Sequence, residues 1–506
     1  MLFVHHILRC RQWAITGCIY IMKKEKSKIQ LFVQGSFFLV ISNVCLKAIN
    51  FFLLPLYTKN LTPSMLGISD SITTFTSILF PILVMGLDSA YSAFYYDKED
   101  ADRDKKVFST ISFTFLCTGI IPMLMCIVSG PLSELLFHTA DYKIIVCIAL
   151  LSVTLNLWGL SFSLELRLKN KMRSFGIISI MASLSMVLLN IFFVSILKLG
   201  ESSLILSTAI VAGEHLLLYA LFTGSIPRIT WFDYGLLKKM VKFSIPLIPT
   251  VLMAWVLSLS DRYILLYYYG DFTVGLYGIG ARFVTLLNVV ISAVTTAYTT
   301  FAFGSKDQDN AKRNYYYVFN VLSFLLMGIA FTIAVFSKDI ILFMTDDAYS
   351  SSYVVIRDMM FGQVFYAMST IVSYGIIFQK KSIYSLLSVS SGAIVNIIAN
   401  LVLIPLYGIT AAAFTTMIGY LVSLAECYYY SEKLYPCEYG IKRIMITSIL
   451  LYAVSWSLME TNLMIQIITW GGCVITCMIV YKDVLRLIIE YVIKLLPLYR
   501  RKQEEK

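Results

Sequence analysis

The charged residues in long apolar runs include Lys47, Arg262, Arg282, Asp261, Glu214 and, near the end of its run, Asp88. A charge in the middle of a bilayer costs about 2.5–3.5 kcal/mol on insertion scales, so each needs a partner or a task. At a rise of about 1.5 Å per residue, Arg262 and Arg282 lie roughly 9 Å from the outer ends of their runs and Lys47 roughly 14 Å. Three cations therefore share the outer half of the membrane. A desolvated arginine fork suits an anion, a phosphate above all. The competing reading is internal pairing, in which Asp261, the neighbour of Arg262, or another carboxylate neutralises the charge. Glu214, followed by His215, falls near mid-membrane. It either binds a proton or sodium ion or stays protonated and bonds a neighbouring helix. Asp88 and Glu165, like Glu426, Arg357 and Asp358, fall near run ends and read as boundary residues, with Asp88 kept beside Glu214 and Asp261 as an ion-coupling candidate. Asn43, Asn50, Asn156, Asn288 and Asn396 either line a polar path or bond adjacent helices.

These residues are positioned by an all-α, polytopic membrane architecture. The chain has 506 residues, 58% of them hydrophobic and 14% charged, with a mean hydropathy of +0.77, too apolar for a soluble globule. Fourteen runs are long enough to cross about 30 Å of hydrocarbon. They include 31–56, 66–94, 243–268, 276–303, 441–459 and 463–481. With the amino terminus in the cytoplasm, 33 of the 41 Lys and Arg fall in inside segments, and only Lys59, Lys198 and Lys338 fall in outside loops. That asymmetry supports an even number of spans with both termini inside. It also accounts for the net charge of +11 without nucleic acid, because the positive charge is dealt out loop by loop. No outer loop is long enough for a catalytic domain. The 10 cysteines are scattered, with no CxxC pair and 4 histidines, so neither a disulfide framework, a zinc site nor another cofactor is expected. Residues 1–21, split by Arg9 and Arg11, read as neither signal peptide nor span, and Met22 is an alternative start.

The chain repeats itself. Ala90-Tyr91-x-x-Phe94 before a charged loop recurs as Ala297-Tyr298-x-x-Phe301, Met65-Leu66-Gly67 aligns with Thr273-Val274-Gly275, and Asn190 to Gly200 aligns with Asn400 to Gly408. An offset of about two hundred residues fits a parallel six-helix repeat, with two lobes facing each other across a cavity. The expected organisation is a cytoplasmic tail (1–28), a first lobe (29–224), a cytoplasmic linker (225–242), a second lobe (243–430), two further helices (431–482) and a cytoplasmic tail (483–506). Arg486, Glu490 and Lys494 make that tail either an interfacial helix or a solvated end. Lys47 and Arg262, on the first helices of the two lobes, are expected to approach across the cavity.

Phe243-Ser-Ile-Pro-Leu-Ile-Pro249, Ser260-Asp261-Arg262-Tyr263-Ile264-Leu265, Val274-Gly275-Leu276-Tyr277, Leu87-Asp88-Ser89-Ala90 and Ile404-Pro405-Leu406-Tyr407-Gly408 resemble the polysaccharide-exporter branch of the multidrug/oligosaccharidyl-lipid/polysaccharide superfamily. Wzx-type O-antigen or capsule repeat-unit flippases of lipopolysaccharide and capsule assembly are the nearest type. The resemblance covers about residues 30–480. It implies a multi-pass protein of the bacterial inner membrane that moves undecaprenyl-pyrophosphate-linked oligosaccharide from the cytoplasmic to the outer leaflet by alternating access. A proton or sodium gradient would drive it, beside other polysaccharide-assembly proteins, and helices thirteen and fourteen would accommodate lipid. The Asp261-Arg262 pair matches a recurring motif of that family, whereas Lys47 and Glu214 match none. The alternatives are a drug or cation antiporter of the same fold, for which acidic cavity residues are expected, and a membrane polymerase or glycosyltransferase, which would need a large outer loop.

Overall fold

In a computed structural model, residues 51–95, 102–169, 171–305 and 311–486 are described. Lys47, Asn43, Asn50, most of the first run and the tail beyond Arg486 lie outside them. Every regular element among the described residues is helical. The first lobe contains α1 (Leu54–Asn60), α2 (Pro63–Val84), α3 (Leu87–Tyr95), α4 (Arg103–Met125), α5 (Ser129–Phe137), α6 (Lys143–Leu168), α7 (Met172–Ile191) and α8 (Ser202–Thr223), and α9 (Tyr234–Ser244) is the linker helix. The second lobe contains α10 (Ile248–Ser305), α11 (Ala311–Val335), α12 (Ser337–Met344), α13 (Ile356–Val372), α14 (Tyr374–Phe378) and α15 (Ile383–Leu434), followed by α16 (Ile441–Leu458) and α17 (Leu463–Val480).

Eleven helices among the described residues are long and apolar enough to cross a membrane. Two of them are hairpins. In α10 the backbone leaves the helical region at Gly270 (φ 76°), and the Tyr277 hydroxyl reaches back to Asp261. Sixteen residues along a straight helix would hold them about 24 Å apart, so the chain reverses. In α15 the break is Gly408 (φ 59°), and Thr415 bonds Asn400 across it. Both glycines hold the left-handed conformation that a Cβ disfavours. The eleven helices thus carry thirteen passes, and the fourteenth expected span is the first run, of which α1 is the end.

The repeat is visible where the lobes touch. A Cβ placed on Gly67 would fall on the Asp271 carbonyl, and one placed on Gly275 would fall on the Pro63 carbonyl. Residues 63 and 67 thus meet 271 and 275 reciprocally, at one offset of 208. This backbone-on-backbone crossing needs glycine on both helices. Gly408 lies against Tyr269 at the same end of the bundle, the Gly270 end. There Leu54, Tyr57, Leu61, Leu66 and Val194 of the first lobe join the continuous apolar core of the second. Elsewhere the first lobe packs about cores of its own, around Tyr91 and Phe115 and around Ile72 and Val146. The lobes are therefore joined at the Gly270 end.

The last two helices are fastened to the second lobe. Arg357 of α13 bonds Asp358 at 2.7 Å and lies under the rings of Tyr452 and Trp456 of α16, 4.9 and 4.5 Å from their centroids. Tyr452 also donates to Asp358 at 2.8 Å. The sequence reads Arg357 and Asp358 as boundary residues, but they are 7% and 1% exposed. Aromatic rings from α16 cover them, and those rings lie nearly a hundred residues downstream. Trp470 of α17 donates to Thr332 of α11 at 3.0 Å.

Candidate functional site

A cavity of about 990 Å³ opens between α2 of the first lobe and helices of the second. Helical spacing builds its walls. Gln363, Tyr366 and Thr370 recur every three to four residues along one face of α13, with Ser373 just past its end, Trp255 and Ser258 face it from the first limb of α10, and Asn288 and Ser292 face it from the second. Ser77 and Pro81 of α2 close the first-lobe side, where Trp255 donates its indole N–H to Ser77 Oγ at 2.8 Å. Tyr366 and Tyr420 stand ring to ring at 5.5 Å. No Lys, Arg, Asp, Glu or His occurs among the described lining residues.

The charged residues singled out by the sequence stand around this cavity, not in its wall. Arg262 follows Ser258 by four residues, so it sits about 6 Å further toward the Gly270 end. Its guanidinium donates to Thr74 Oγ1 of the first lobe at 3.2 Å. No carboxylate lies within ion-pair reach of it among the described residues. The Asp261–Arg262 side-chain pair of the competing reading is thus not formed, because the two side chains turn to different partners, Arg262 to Thr74 of the first lobe and Asp261 to Tyr277 and Thr416 of the second. Asp261 turns into the second lobe, 1% exposed. It accepts the Tyr277 hydroxyl, the Thr416 hydroxyl at 3.1 Å and the Arg262 N–H at 2.8 Å. Asn396 extends this network by donating to Thr416 at 3.3 Å, and Asn400 donates to Asn396 at 3.1 Å. Asn396 therefore bonds helices together, whereas Asn288 lines the cavity.

Arg282 does pair. Its guanidinium is 3.6 Å from Asp70 of α2 and 5.1 Å from the centroid of the Tyr57 ring. Both contacts cross between lobes beside the Gly67–Gly275 crossing. Sequence reasoning passed over Asp70 and Thr74, although Asp70 is an acid in an apolar run and lies 208 residues before Gly278, whose added Cβ would meet the Asp70 carboxylate. Glu214 stands apart. It shares a face of α8 with Ile210, Leu217 and Leu221, which are 42, 64 and 73% exposed. Asp88 lines a separate cavity of about 500 Å³ with Arg167, Ser89 and Ser92. Glu165 is 2% exposed, accepting from Tyr91 at 2.5 Å and pairing with Lys169 at 2.8 Å.

The fold is shared with known transporters. The chain is similar to a lipid II flippase, MurJ, in an inward closed conformation, with a TM-score of 0.69 and 16% identity, over 90% of this chain and 100% of that one. It is also similar to a multidrug resistance MATE family transporter of the MOP superfamily in an inward-facing conformation, with a TM-score of 0.58 and 13% identity, over 81% and 99% of the two chains. The MATE multidrug transporter DinF-BH gives a TM-score of 0.59 and 14% identity over 81% and 96%. No curated protein sequence matches the chain. The polysaccharide biosynthesis protein family matches residues 58–354, a segment that holds the interlobe crossing, Asp261, Arg262 and Arg282 and more than half of the sequence. The chain belongs to the polysaccharide biosynthesis protein family.

Proposed function

We propose that this protein is a flippase that carries undecaprenyl-pyrophosphate-linked oligosaccharide from the cytoplasmic to the outer leaflet of a bacterial inner membrane, for O-antigen or capsule assembly. The observation that carries this reading is a large, hydroxyl-lined cavity with no charged residue in its described lining and, one turn beyond its end, an arginine with no described carboxylate in ion-pair reach. A lipid-linked sugar is bipartite in the same way, with a polar glycan joined to a dianionic phosphate bridge. The cavity suits the glycan, and the Arg262 fork suits the bridge. A drug or cation antiporter would need an acid in the cavity wall, and the described lining has none.

In this reading the Gly270 end is the outer end, and the contacts there close the outer side. Arg282 takes its anion-binding role when the lobes part and Asp70 withdraws, with Lys47 as the third expected contact. Asp261 is the ion-coupling residue best placed of the three candidates. It ties the first limb of α10 to the second through Tyr277, two residues from Gly275 of the crossing. Binding a proton or sodium ion at its carboxylate would compete with those hydroxyls and loosen that limb.

Arg262→Ala tests the reading. Surface polysaccharide should fall at least tenfold at unchanged membrane level, and Arg262→Lys should restore part of it, because the charge returns without the fork. Full surface polysaccharide with Arg262→Ala would remove the anion contact from the account.

A further inference from the structure

The wall of the cavity is rich in acceptors. Fourteen of its twenty-three described lining residues carry a hydroxyl or amide group. Many of the hydroxyl protons are already committed to the helices that bear them. Ser258 donates to the Ala254 carbonyl at 2.9 Å, Ser292 to that of Val289 at 2.9 Å, Thr370 to that of Tyr366 at 3.0 Å and Ser388 to that of Tyr384 at 2.8 Å. What such groups still offer is oxygen lone pairs. Gln363 adds a buried carbonyl oxygen with no hydrogen-bond partner. A guest that brings O–H and N–H donors is matched by this wall. A carboxylate or phosphate would find about half of the wall's hydroxyl donors already committed and no described cation in the lining to pair with.

Size and aromatic content narrow the guest further. The volume is at the upper end of the roughly 300–1,000 Å³ usual for small-molecule sites, which suits several linked rings better than one. Tyr366 is 43% exposed although its neighbours Phe365 and Ala367 are 5% and 2% exposed, so its ring is presented at the cavity. With Tyr420 and Trp255 it offers flat apolar surfaces carrying polar tips, on which the C–H faces of sugar rings pack.

We propose that this cavity is a glycan seat specific for an uncharged oligosaccharide, one built of neutral or N-acylated sugars without uronic acid or phosphate substituents. The inference rests on the flippase reading and adds to it the charge class of the repeat unit. Trp255, Gln363, Tyr366 and Tyr420 are the specificity-determining residues. The diphosphate is held outside the seat, at Arg262.

The experiment uses host cells from which the gene is deleted, so that the lipid-linked repeat unit accumulates. The glycan is released from its lipid diphosphate by mild acid and passed over an anion-exchange column at neutral pH. It should emerge unretained. A retained, acidic glycan would overturn the inference and leave the flippase reading standing, whereas no accumulated lipid-linked unit at all would overturn that reading and the inference with it. In the complemented strain, Thr370→Lys and Thr370→Asp should each lower surface polysaccharide at least tenfold at unchanged membrane level, with Thr370→Ser near wild type. Normal export with Thr370→Lys would contradict a seat for an uncharged guest. Normal export with both charged variants would show that the glycan does not occupy this cavity.

Discussion

At the scale of single residues, the buried charges divide into those that hold the fold together and those to which the proposed function gives a substrate. Asp358 is of the first kind. Removing it leaves the Arg357 guanidinium buried between two rings without its carboxylate, and breaking a buried pair in this way costs about 3–5 kcal/mol. Asp358→Ala should therefore lower the melting temperature of the purified protein by several degrees. The exposed pair of Lys338 and Glu460, at 2.5 Å, is of little consequence for stability, because solvent screens it. Its hydrogen bond to Lys338 holds the Glu460 carboxyl below the usual range. What the pair contributes is thus present at neutral pH and lost as pH falls through that lowered value. Glu460→Ala should leave the melting temperature near that of the wild type, and an equal drop for both variants would contradict this division. The sequence singled out Arg262, Arg282 and Asp261 by their cost in lipid. It did not show their partners, since Thr74, Asp70 and Thr416 approach from helices about 155 to 210 residues away in the chain.

At the scale of elements, helix hairpins and one helix crossing position everything else. The periodic apolar runs made the spans legible, and the glycines at 270 and 408 fall where the runs break. The crossing of Gly67 and Gly275 was legible only as a weak repeat of Leu-Gly and Val-Gly. Its reason is steric, since two backbones meet where no side chain fits. Gly67→Leu or Gly275→Leu should hold the lobes apart at the Gly270 end. With Thr370→Cys placed in the cavity of an otherwise cysteine-free protein, a membrane-impermeant maleimide added from outside should label either leucine variant several-fold faster than the parent, and export should fail. Labelling no faster than in the parent would mean that this crossing does not close the outer side. Asp70→Asn, which weakens the pair with Arg282, should act in the same direction with a smaller effect.

At the scale of the whole molecule, two lobes are joined at one end and parted around a polar cavity, the arrangement that the proposed alternating access requires. The apolar weld at the Gly270 end and the cavity beyond it explain why the buried arginines do not line the wall, although their depth in the sequence suggested a cationic cavity. Depth along a helix is readable from residue counting, whereas the direction a side chain faces depends on the partner lobe. The last two helices are fastened to the second lobe, through Arg357 with Tyr452 and through Trp470 with Thr332. In α17, Met464, Ile468, Ile475 and Ile479 are 61–71% exposed, an apolar face suited to lipid. The location of lipid-linked sugar in cells lacking the protein tests the proposed flipping most directly. Separate assay of the two leaflets should find single, unpolymerised repeat units accumulated on the cytoplasmic leaflet. Their accumulation on the outer leaflet, or unchanged surface polysaccharide with no accumulation, would contradict it.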